Sequence, residues 1–142
     1  MLKSTLYTAL LLGGLTGGAA SAAELVVIVS ARTPVAALRQ DQVAGIFLAE
    51  ASSFPDGTEA MAVDQGIGSP LRDEFYQKVA NRSPALMKAY WTKMIFTGRG
   101  QPPREAPNSA AVRRLVADNP GMIGYIERAA LDPSVRPVLV LK

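Results

Sequence analysis

Hydrophobic and polar positions divide the chain into short periods that change character at Gly, Pro and Asn. Residues 25–29 (LVVIV) are a continuous, β-branched apolar run. That is the pattern of a strand covered on both faces, which favours a mostly parallel, helix-covered sheet. Ser30 and Thr33-Pro34 end it. Over 40–48, Val43, Ile46 and Phe47 share one helical face, with Asp41 near the positive end of the predicted helix. A loop at 50–58, turned at Pro55-Asp56-Gly57, leads to a short strand at 59–64. The stretch 62–75 (AVDQGIGSPLRDEF) then joins the strand's end to two glycines and to Ser69-Pro70. Ser69 suits an N-cap and Pro70 a first helical position. Leu71, Phe75 and Val79 recur at helical spacing, so a helix is predicted over Pro70–Ala80, broken by Asn81-Arg82.

Ser83-Pro84 repeats the cap-and-proline signature and opens a helix predicted over 84–95. Leu86, Tyr90 and Met94 form one stripe on it, and Met87, Trp91 and Ile95 a second beside the first. Two stripes predict a broad apolar face and a well-buried helix, with Trp91 in the core. Residues 96–107 are predicted as a loop, because Gly98, Gly100, Pro102, Pro103 and Pro107 interrupt them. Ser109 is the expected cap of a helix over 110–118, stopped by Asn119-Pro120-Gly121. Strands at 122–126 and 136–141 close the chain. The order β-α-β-α-α-α-β-β predicts a small α/β domain, a mixed sheet with flanking helices.

The first 22 residues stand outside this pattern. Lys3 precedes an apolar run from Leu6 to Leu15, and Ala20-Ser21-Ala22 gives a small-x-small cleavage site. This is the signature of a secretory signal peptide, with cleavage expected after Ala22 or, second, after Ala23. The run is too short for a membrane span, and no cysteine follows it to carry a lipid anchor. The expected mature domain is 23–142, a periplasmic or secreted protein with no membrane insertion after cleavage. Its roughly 120 residues fit one domain. Removing Lys3 takes the formal net charge from +3 to +2. With the charges dispersed, nucleic acid is not an expected partner.

The chain has no His and no Cys. Most transition-metal sites and most Ser-His or Cys-His nucleophiles are thereby excluded. No paired carboxylates suggest an acid and a base, so an enzyme is not expected. The loop at 65–69 fits neither a Walker A nor a dinucleotide fingerprint, and no cofactor is expected. What the residues do suggest is an anion at a helix start, with oriented N–H groups, the Ser69 hydroxyl and a cation from Arg72, Arg99 or Arg104. The plainer alternative is that Ser69 only caps the helix and Arg99 is a solvated loop charge.

The ordered set of these stretches resembles part of the phosphate-binding protein of ABC-type phosphate import, a type 2 periplasmic binding protein. Residues 38–48 (LRQDQVAGIFL) are similar to that family's Leu-x-x-x-x-Val/Leu-x-x-Ile-Phe helix. Residues 63–75 are similar to its Ser-Gly-Thr ligand loop and following helix. Residues 120–125 (PGMIGY) match its Pro-Gly-Ala-Ile-Gly-Tyr strand, and Trp91 followed by Gly98-Arg99-Gly100 fits the order. The resemblance implies a single lobe of that fold and a solute-binding role for a small oxyanion such as phosphate, with an ABC permease as partner. Onto this chain it carries the ligand-binding candidates Gln65, Gly68, Ser69, Leu71, Arg72 and Arg99. Ser69 and the N–H groups of Gly68 and Leu71 would donate, and Arg72 would supply the counter-charge. The family's phosphate-binding Arg and Asp fall at Gln65 and Ile67, and its Gly and Thr at Pro70 and Leu71. The chain is also about half the family's usual length. Those departures keep a second expectation open, an interaction or accessory module of the same fold without a ligand, with a homodimer as one form.

Overall fold

The computed structural model describes residues 24–142; the expected export segment lies outside them. Five strands form one sheet in the order β3-β2-β4-β1-β5. In chain order the elements are β1 (Leu25–Ser30), α1 (Gln40–Phe47), β2 (Met61–Gln65), α2 (Pro70–Ala80), α3 (Pro84–Phe96), β3 (Arg104–Ala106), α4 (Ser109–Asp118), β4 (Met122–Glu127) and β5 (Val135–Leu141). The α/β class and the mixed sheet agree with the sequence pattern.

Strand β1 shows why its run is unbroken. Leu25, Val27 and Val29 belong to one buried cluster with Val43, Phe47, Phe75, Met87 and Trp91 of α1, α2 and α3. Val26 and Ile28 belong to the other, with Val112 and Val116 of α4. Alternate residues of one strand thus feed two cores, and no position from Leu25 to Val29 is left for a polar side chain. The expected mostly parallel arrangement does not hold around β1, which runs antiparallel to both neighbours, β4 and β5. Parallel pairing is confined to β2, with β3 on one side and β4 on the other. A continuous apolar run reports coverage of both faces, and strand direction is set separately by how the chain returns. Pro137 is tolerated because β5 is an edge strand, with its register shifted at the Val27/Ile28 step.

Three further expectations are corrected. Residues 96–107 are not all loop, because Arg104–Ala106 pair with Val63–Gln65 as an edge strand. Only Ala106 of that strand is buried, so no hydrophobic alternation marks it. Helix α3 is not well buried. Met87 and Trp91 are in the core, but Leu86, Ile95 and Phe96 are exposed, Phe96 at 90%. Helix α4 is capped by Asn108, whose side chain accepts from the Ala111 N–H at 2.9 Å. Ser109 is the first helical residue instead, and its Oγ accepts from Gln65 Nε2 and from the Glu127 N–H.

Candidate functional site

The glycine loop and the start of α2 form as the sequence predicts. Ser69 is the N-cap, accepting from the Arg72 N–H at 3.4 Å, and Pro70 is the first helical residue. Gly68 has φ +89°, a left-handed conformation that an L side chain rarely adopts. Its N–H and that of Leu71 are given to no acceptor among the described residues.

Beneath the loop lies a cluster centred on Asp64, which sequence reasoning missed. Asp64 is the second-last residue of β2 and only 1% exposed. Tyr125 of β4 donates its hydroxyl to Oδ1, and Tyr76 of α2 donates to Oδ2 at 2.5 Å. The Gln65 N–H donates to Oδ1 at 2.8 Å, and Arg72 Nε to Oδ2 at 3.4 Å. Burial pushes the Asp64 carboxyl above its ordinary range, while these donors pull it back. Both tyrosine hydroxyls are pushed up by burial and then by the Asp64 charge, so they remain protonated donors. The rings are fixed from behind: Tyr125 stacks on Phe75 with centroids 3.9 Å apart, and Phe75 meets Phe47 edge-on at 4.7 Å. The available signal was a carboxylate next to Val63 in a buried strand. Its partners lie 8, 12 and 61 residues away, a separation no local pattern reveals.

Arg72 is therefore part of a buried ion pair as well as a loop cation. Its side chain lies over the Tyr76 ring at 5.2 Å, and the residue is 7% exposed. Among the described residues its guanidinium makes one hydrogen bond, through Nε, and the terminal nitrogens make none. Arg72 lines a cavity of about 710 Å³ together with Ile67, Gly68, Asp73, Lys88, Trp91 and Glu105.

The other candidates are placed differently. Gln65 is buried, and its side-chain amide donates to Ser109 Oγ at 3.1 Å and to the Tyr125 carbonyl at 3.2 Å. That commits both of its N–H donors to joining β2, β4 and α4. The Leu71 side chain packs on the core. Arg99 is not brought to the loop; it lines a separate cavity with Glu50, Arg82, Tyr90 and Lys93. Lys93 and Met94 from the last turn of α3 also line that second cavity, and the carbonyl end of a helix favours cations. Gly68 and Arg72 share one site; Arg99 does not join it.

No family model and no curated protein matches the sequence. Solved structures do. A protein described as a phosphate ABC transporter substrate-binding protein with bound phosphate, from Clostridium perfringens, superposes with a TM-score of 0.63 at 24% identity. An ABC-type phosphate transport receptor from Vibrio cholerae gives 0.64 at 18%, and PstS from Borrelia burgdorferi 0.59 at 12%. Each match covers 81% of this chain but only 44%, 45% and 46% of the solved one. The chain thus spans less than half the length of the structures it resembles, and it has the fold of a single lobe of that class.

Proposed function

We propose that this chain is a solute-binding-type module of an exported transport system, and that it holds a small oxyanion at the Arg72 cavity. One observation carries the reading: a nine-tenths buried arginine, anchored through Nε on Asp64, lines an open cavity with its terminal nitrogens unpaired among the described residues. Such a group is oriented before a ligand arrives, and a carboxylate or phosphate oxygen is its natural acceptor. Gly68 lines the same cavity, and its N–H, like that of Leu71 at the positive end of α2, is unpaired among the described residues. The fold is that of structures described as phosphate-binding transport components, which supports phosphate as a first ligand to try and an ABC permease as partner. A periplasmic or secreted location follows the export signature of the first 22 residues.

Asp73 and Glu105 line the same cavity and oppose an anion. With that opposition and an open mouth, the expected Kd is about 0.1–1 mM. Calorimetry on the purified protein with phosphate, sulfate and acetate tests the reading. Saturable heat that Arg72→Gln abolishes is the expected result. No heat at millimolar anion, where a control binder responds, rejects it. A ligand-free interaction module is less favoured, because it explains the Asp64–Arg72 ion pair but not an open cavity at the guanidinium's terminal nitrogens.

A further inference from the structure

We infer that the ligand of the Arg72 cavity is an organic monoanion, a single carboxylate-type headgroup carrying an apolar body, rather than a bare inorganic oxyanion. The inference rests on the reading that Arg72 binds an oxyanion, and it names the class of molecule that bears it.

The first argument is size. Five heavy atoms occupy on the order of 100 Å³, judged against the ~30 Å³ of a liquid water. The cavity is about 710 Å³, within the range of sites for larger organic ligands. An inorganic anion at Arg72 would leave most of it filled with solvent.

The second argument is the chemistry of the walls. Their apolar part is made by Ile67, Pro84, Ala85, Trp91, Ile95 and Pro102. Ile67 is 81% and Ile95 54% exposed, so these side chains still have apolar surface to bury. Covering about 100 Å² of such surface is worth roughly tenfold to a hundredfold in affinity. Trp91 is itself buried, and its indole N–H has no hydrogen-bond partner among the described residues.

The third argument is charge. The cations on the lining are Arg72 and Lys88, and the carboxylates are Asp73 and Glu105. Asp64 stands behind Arg72. In a lining balanced in this way, doubling the ligand charge doubles the repulsion from the carboxylates and the attraction to the cations alike. The charge of inorganic phosphate therefore gains it no preference over a carboxylate, and size and wall chemistry decide between them.

Trp91 is the single tryptophan of the chain and lies on the cavity wall, so its fluorescence reports occupancy. The test is a titration of the purified protein with 3-phenylpropionate, acetate, inorganic phosphate and the neutral analogue 3-phenylpropanol. The expected result is 3-phenylpropionate binding at least about tenfold tighter than the other three. Ile95→Gln, at an exposed position on the cavity wall, should remove about threefold or more of that preference. Phosphate binding as tightly as 3-phenylpropionate would overturn this inference and leave the oxyanion reading standing. Phenylpropanol binding as tightly as the acid would overturn both, since the headgroup would then contribute nothing. No response to any anion, by fluorescence or by calorimetry, would likewise overturn both.

Discussion

At Asp64 four donors meet one buried carboxylate: two tyrosine hydroxyls, one guanidinium and one backbone N–H. Each donor stabilises the ionised form, yet burial outweighs them and the folded-state pKa lies above the ordinary value of 3.8. A raised carboxyl pKa means that the fold accommodates the protonated group better than the charged one. The Asp64 contribution is therefore complete below the ordinary value and is lost as pH rises through the folded-state value. Urea denaturation of the wild type and of Asp64→Asn between pH 4 and 8 should show the wild type losing stability relative to the variant as pH increases. A gap moving the other way would mean that the four donors dominate. The cluster also explains which site residues were legible in the sequence. Ser69, Gly68 and Arg72 are close in sequence and follow helix-start chemistry. Asp64, Tyr76 and Tyr125 meet only through the pairing of β2 with β4 and the packing of α2. Gln65 reads locally as a loop residue, but strand alternation turns its amide towards Ser109 and away from the anion side.

Among the elements, α4 and β4 show how one glycine sets a packing distance. A Cβ on Gly124 would stand 2.5 Å from Val112 Cγ1 and 3.2 Å from Val116 Cγ2. Gly124→Ala should destabilise the protein by about 1–3 kcal/mol, because α4 must move off the sheet or the valines must leave their rotamers. Thermal or urea unfolding checks this, and an unchanged midpoint would show that α4 yields freely. Helix α3 makes the opposite point. Its two apolar stripes predicted a broad buried face, but the helix packs mainly through Met87 and Trp91 and leaves Phe96 in solvent. Phe96→Ser should change stability by no more than about 0.5 kcal/mol, whereas a loss of several kcal/mol would place Phe96 in the core. Periodicity located both ends of α2 and the start of α3, where Ser-Pro pairs fix the boundary. It could not say how many partners α3 would find, because an apolar face does not report what covers it. Strand β3 escaped for a related reason: its pairing with β2 is a tertiary event, and only Ala106 turns inward.

For the whole molecule, three layers follow from β1 feeding two cores, with α1, α2 and α3 on one face of the sheet and α4 on the other. The C-terminal end of β2 and the start of α2 then hold Asp64, Gly68 and Arg72 together at one edge of the first layer. The class of fold was legible because coverage of both sheet faces leaves a continuous apolar run. The strand directions were not, since they depend on the return of β4 and β5 past β1. The central claim is that this edge binds an oxyanion through Arg72. NMR titration with nitrogen-15-labelled protein, following Arg72 Nε–H and the N–H groups of Gly68 and Leu71, tests it most directly. Saturable shifts at those three groups during an acetate or phosphate titration, with Arg99 unmoved, are the predicted result. Shifts centred on Arg99 and Arg82, or none at Arg72, would contradict it.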